Sequence, residues 1–141
     1  MADLTGKSGM GVGETDDPNA VIESFEADGA IDKGVPVYLT DAGKVKQGAG
    51  YNAFGVSIAA TASGAQCPTL TRGRVKVAVD GALTAAGVAV RSAGNTKVTE
   101  LFDQAVNEGG AATYTIYVNR KLGTALQKGL ADGDLIFIQV G

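Results

Sequence analysis

The sequence predicts an all-β fold. We expect a compact β-sandwich or small β-barrel of short antiparallel strands with an internal duplication, an extended N-terminal arm and at most one short helix. Three observations lead there. Residues 28–46 and 80–98 use one phrase twice, DGAIDKGVPVYLTDAGKVK and DGALTAAGVAVRSAGNTKV. Most other runs alternate apolar and polar residues with period two, the spacing of a half-buried strand. Glycine, at 21 of 141 residues, punctuates them at short intervals. Two copies are too few for a solenoid, so one closed or sandwiched domain is the expected product.

The duplication is detailed. Asp28-Gly29-Ala30-Ile31 answers to Asp80-Gly81-Ala82-Leu83, Gly34-Val35 and Val37 to Gly87-Val88 and Val90, and Lys44-Val45 to Lys97-Val98. A third echo sets Phe54-Gly55-Val56-Ser57-Ile58 beside Leu122-Gly123-Thr124-Ala125-Leu126. Each copy reads as a turn, a strand, a second turn and another strand.

In chain order, residues 1–19 read as an arm, punctuated by Gly6, Gly9, Gly11 and Gly13 and without periodicity. Such a stretch is expected to be extended or disordered in the free subunit. Residues 20–141 form the single β domain. Val21 to Phe25 is a first strand, and Val35, Val37 and Leu39 mark a second, with Pro36 at a strand start or sheet edge. Asp41-Ala42-Gly43 turns the chain into Lys44-Val45-Lys46. Phe54 to Ala59 follows. Thr69 to Val79 is the clearest strand: Val75, Val77 and Val79 point one way, and Arg72, Arg74 and Lys76 the other. The second copy repeats the pattern through Val88, Val90 and Val98. Thr99 to Glu108 reads as a short helix stopped by Gly109-Gly110. Tyr114 to Val118 is β-branched and aromatic, a strand signature. Leu135 to Val140 closes the chain, and its apolar residues on both faces point to burial in the core and against another subunit. Leu135, Phe137 and Ile138 are therefore the expected oligomer interface.

Composition excludes several chemistries. The chain has no histidine, the commonest general base and metal ligand. Its one cysteine, Cys67, rules out an intrachain disulfide and reads as a small buried hydrophobe. No stretch has the length of apolar sequence that a membrane helix needs. Net charge is −3, which does not suggest nucleic acid. Residues 1–70 carry nine acids and four bases, whereas residues 71–141 carry six acids and eight bases. Aromatics are only 6%, so the core is thin, and oligomerisation or docking is expected to add stability.

Motif tests end mostly in rejection. Gly6-Lys7-Ser8 lacks the earlier glycine and the preceding strand of a phosphate loop. Gly9-x-Gly11-x-Gly13 has the wrong spacing for a dinucleotide fingerprint. Asp16-Asp17 closes the arm, and Asp132-Gly133-Asp134 reads as a turn. Two features remain. Leu4, Met10 and Val12 are isolated apolar residues in the arm. Arg72, Arg74 and Lys76 form a basic stripe that reads either as a solvated strand face or as a contact with an acidic protein surface; no aromatic residue interleaves with it as nucleic-acid binding would favour.

The run Ile31-x-Lys33-Gly34-x-Pro36-Val37-x-Leu39, then Gly43-Lys44-Val45, Phe54-Gly55-Val56-Ser57-Ile58-Ala59 and Arg72-Gly73-Arg74-Val75-x-Val77, resembles the bacteriophage head decoration, or capsid cement, proteins. Leu122 to Leu126 and Ala131 to Ile136 look like that family's closing element. The resemblance covers roughly residues 28–141, and Tyr114 to Lys121 looks like an insertion. It implies a structural, non-enzymatic virion protein, made in the host cytoplasm and seated on the outer capsid surface, where it bridges neighbouring major capsid proteins. Its partners would be the major capsid protein and itself, as a homotrimer or alternatively a homodimer, with no cofactor, metal, nucleic acid or membrane. The capsid contacts would fall on Leu4, Met10 and Val12 of the arm and on Arg72, Arg74 and Lys76. The alternative is a carbohydrate- or surface-binding β module, which the scarcity of aromatic platforms disfavours. A small enzyme suffers from the lack of a nucleophile paired with a base.

Overall fold

The computed structural model describes residues 10–48, 52–94, 96–101 and 121–141. Among these residues the chain is all-β, with nine strands and no helix: β1 (Val21–Glu26), β2 (Pro36–Leu39), β3 (Val45–Gln47), β4 (Gly55–Ser57), β5 (Gln66–Ala78), β6 (Ala89–Ser92), β7 (Val98–Glu100), β8 (Gly123–Ala125) and β9 (Leu135–Val140). They pair in the order β3-β2-β4-β5-β9-β8-β6-β7, and β1 also pairs with β5. Every strand-to-strand pairing is antiparallel.

The repeated phrase is a repeated structure. β2 pairs with β3 and β4, and β4 pairs with β5; in the same way β6 pairs with β7 and β8, and β8 pairs with β9. Main-chain bonds outside the strands recur at equivalent positions of the two copies. Asp28 N–H donates to Val45 C=O at 2.8 Å, and Asp80 N–H to Val98 C=O at 2.7 Å. Ile31 donates to Thr61 at 2.9 Å, and Leu83 to Gly129 at 2.8 Å. Phe54 donates to Val37 at 3.0 Å, and Leu122 to Val90 at 2.8 Å. One side-chain clamp recurs as well: Gln47 Oε1 accepts from Asp32 N–H at 2.7 Å, and Glu100 Oε1 from Thr84 N–H at 2.8 Å. Parallel bridges at Ala27–Val45 and Val79–Val98 bring the third strand of each copy back to the first, so each unit curls toward closure.

The long strand β5 belongs to both units. Its first half, from Gln66 to Arg72, pairs with β1 and β4; its second half, from Gly73 to Ala78, pairs with β9. The change of partner makes a break between them, and the buried face keeps one phase across it, with Cys67 and Thr69 before the break and Val75 and Val77 after it. Gly73, at φ 126°, sits at the break, where a side chain would meet Ala20 and Asp17. Such a bend re-aims a strand from one sheet to the next.

One core cluster lies within the first unit, and a larger one fills the second unit and reaches into the first through Ala53, Val56 and Leu70. Ala27, Ile31, Val35, Val37, Val45 and Cys67 pack with Phe25 and Phe54, whose rings meet edge to face with centroids 5.4 Å apart. In the second unit the equivalent places are taken by Val79, Leu83, Val88, Val90, Val98, Ile136, Val77 and Leu122, all within one larger cluster. Cys67 and Ile136 are thus counterparts, both fully buried. Ile136→Ala is expected to cost about 3 kcal/mol through the cavity it leaves. Cys67→Ala, which removes a single atom, should cost about 1 kcal/mol. Denaturant titration of both variants checks this; equal losses would show that the two cores are not built alike.

Most of the strand readings hold. Thr99 and Glu100, read as a helix start, lie instead in β7. Val98-Thr99-Glu100 is the counterpart of Val45-Lys46-Gln47, and pairing with β6 overrides the local helical signal. Leu101 is irregular, its N–H donating to Ala89 C=O at 2.8 Å, and residues 102–108 of that helix and the strand at Tyr114 to Val118 lie outside the described residues.

Candidate binding surface

The residues singled out from the sequence do not gather into one exposed patch. Leu4 lies outside the described residues. Met10 and Val12 are half-buried, and residues 13–17 run beside the second half of β5 as irregular chain bonded to it at several points. Gly13 N–H donates to Lys76 C=O at 2.7 Å, and Lys76 N–H donates to Glu14 C=O at 3.0 Å. The Thr15 hydroxyl donates to Arg74 C=O. Arg74 N–H donates to Asp17 Oδ2 at 3.1 Å. The described part of the arm is therefore tied to the domain.

The basic stripe is consumed largely by this contact. Arg72 is exposed. Arg74 makes an ion pair with Asp16, Nη2 to Oδ1 at 2.9 Å, and donates from Nε to the same oxygen at 2.9 Å. Lys76 is fully buried, its Nζ 5.5 Å from the centre of the Phe137 ring, with the Arg74 guanidinium 5.7 Å from that centre. Lys33 meets Glu14 at 3.5 Å. One ion pair, Asp16 with Arg74, thus joins the acidic arm to the basic stripe across the two halves of the chain. Both runs were visible in the sequence; their opposite signs and matched lengths were the signal that they belong together.

β9 is likewise an interior strand, paired on one edge with β5 and on the other with β8. Ile138 is fully buried in the core, and Phe137 is buried on the opposite face under Arg74 and Lys76. The second apolar face, read from sequence as an oligomer contact, is covered from within the chain. Leu135 alone of the three stays partly exposed.

The arm carries a pH response. The N–H of Asn19, then that of Arg74, hold the Asp17 carboxyl below its ordinary value, with help from the Arg74 charge. A carboxyl whose pKa falls on folding stabilises the fold above its unfolded value, and that contribution is lost as pH falls through the lowered one. Acidification below the ordinary carboxylate range is therefore expected to loosen residues 13–17. Amide exchange at Arg74 and Lys76, corrected for intrinsic rates, should speed up between pH 7 and pH 3 relative to the β9 core. Asp17→Asn should remove most of that difference; unchanged protection at low pH in the native chain would refute the arm–carboxylate linkage.

Other polar groups serve structure. Asp134 Oδ2 accepts from Leu130 N–H and Ala131 N–H, both at 3.0 Å, inside the turn before β9. Lys97 meets Asp132 at 2.9 Å and its counterpart Lys44 meets Glu26 at 2.8 Å, surface pairs of small energetic weight. Lys97 and the Gly81 N–H hold Asp132 below its ordinary value. Among the described residues no group of three or more His, Cys, Asp or Glu is placed to hold a metal ion. Among the same residues no helix is long and apolar enough to cross a membrane.

No protein-family model and no curated protein sequence matches the chain. Among solved structures its fold is similar to the N base of the head fiber protein gp8.5 of bacteriophage phi29. The TM-score is 0.60 at 11% identity, and the match covers 86% of this chain and 94% of that one.

Proposed function

We propose that this chain is a structural protein of a phage virion that binds the outside of the assembled head and cements neighbouring major capsid proteins against internal DNA pressure. The observation that carries the reading is the likeness of fold to a phage head fiber base, which runs nearly end to end in both chains. The decoration-protein resemblance of the strand sequences points the same way.

The mechanism is linkage. A protein that binds the assembled lattice and not the free coat subunit stabilises the lattice by mass action. An oligomer touching several subunits gains further through effective concentration. A homotrimer on a local threefold repeats each contact, and a homodimer is the alternative arrangement. No step of this role uses catalysis or a cofactor. The test is to heat phage heads prepared with and without this protein. Heads lacking it should release DNA at a lower temperature, and added protein should restore the native release point. Identical release in both preparations would refute cementing.

A further inference from the structure

β1 is the first strand of the first unit, and the second half of β5 holds the same place in the second. Ile22 corresponds to Arg74 and Ser24 to Lys76: the pairs Ser24–Pro68 and Lys76–Phe137 occupy equivalent rungs. Pro68 C=O accepts from Ile58 N–H and Phe137 C=O from Leu126 N–H, each at 3.0 Å. Both acceptors thus face away from the first strand of their unit. In an antiparallel ladder the residue opposite such a group also turns its N–H and C=O away. Lys76 turns them to the arm, bonding Glu14 and Gly13. Ser24 turns them outward, and no described residue bonds them.

The surroundings of Ser24 are those of an unprotected strand edge. Val21 and Ile22 are 42% and 44% exposed, and Glu23 and Ser24 are also exposed. β1 contains no proline or lysine, the usual guards of an edge. The other outer strands, β3 and β7, are three residues long and bridged to Ala27 and Val79. Glu23 makes no ion pair among the described residues. The arm of a second copy fits poorly, because its Glu14, Asp16 and Asp17 would meet Glu23, with Ile22 and Ser24 where Arg74 and Lys76 stand. The edge fits an extended segment with apolar residues for Val21 and Ile22 and a basic residue for Glu23.

We propose that the outer edge of β1, centred on Ser24, is a strand-acceptor site for an extended segment of the shell subunit carrying apolar and basic residues, an assignment that rests on the capsid reading above. Ser24 would bond the incoming main chain as Lys76 bonds residues 13 and 14, a mode in which backbone pairing gives affinity and flanking side chains give register.

The test uses the full chain and emptied shells of its phage lacking this protein. Amide exchange is followed over β1 in the free and shell-bound chain. Ser24→Pro deletes the outward N–H without breaking a bond to β5, and Glu23→Lys reverses the charge while leaving the main chain intact. Expected are slowed exchange at Ile22 and Ser24 on binding, and at least tenfold weaker binding by each variant whose melting stays near native. If Ser24→Pro fails to fold, Glu23→Lys and the exchange pattern decide. Shell binding by the native chain without protection of β1, and with Glu23→Lys binding normally, overturns the acceptor edge while leaving the capsid reading intact. Failure of the native chain to bind shells overturns both.

Discussion

Gly123→Ala is expected to destabilise the chain by at least about 3 kcal/mol, lowering the melting temperature on the order of 10 °C. A Cβ on Gly123 would run into the Gln139 carbonyl oxygen and lie 2.9 Å from its carbon. Both are backbone atoms of β9, held by pairing with β5, so they cannot swing aside as the end of a side chain can. The glycine is needed for the close approach of β8 to β9, since its φ is not positive. Gly55 is its counterpart, and a Cβ there would meet Thr69 Cγ2 at 2.7 Å and the Leu70 carbonyl oxygen at 2.8 Å. Half of that contact is with a side-chain methyl, so Gly55→Ala should cost less, about 2 kcal/mol. Calorimetry of both variants checks the size and the order. A Gly123→Ala chain that melts with the native protein would show that β8 and β9 do not approach as described.

Removal of residues 2–17 is expected to weaken the domain itself, by about 3 kcal/mol, whereas removal of residues 2–9 leaves every described bond in place. The longer deletion strips the second half of β5 of its neighbour. It frees the Lys76 N–H and C=O and the Arg74 C=O, each bond worth about 1 kcal/mol net. It also removes Asp16 and Asp17 from Arg74. Unfolding of the two truncations in denaturant separates the cases. Equal midpoints would mean that residues 10–17 contribute nothing to the fold.

Much of the architecture was legible because the duplication was. The Asp-Gly turns, the Gly-Val starts and the Lys-Val strands marked equivalent positions, and the main-chain bonds pair those same positions. Alternation placed β1, β2 and β5 because period two is a local property of a half-buried strand, and the continuous apolar run from Leu135 placed β9. β7 misled because Thr99-Glu100 carries helical signal that only its partner β6 overrides. The site residues were harder, because exposure is a property of tertiary pairing. Nothing local in Arg74-Val75-Lys76 says that an arm sixty residues upstream will cover it, and nothing in Leu135 to Val140 says that Arg74 and Lys76 will lie over Phe137. The acidic run Glu14 to Asp17 held that information only when set against the basic stripe. Ser24 was invisible for the same reason: its outward main-chain groups follow from the rung it shares with Pro68.

Co-sedimentation of the purified chain with assembled shells, and separately with unassembled coat subunits, distinguishes binding to the lattice from binding to its parts. Saturable binding to shells with none to free subunits is the expected result. Equal binding to both, or none to shells, would contradict the reading of this protein as a clamp on an assembled head.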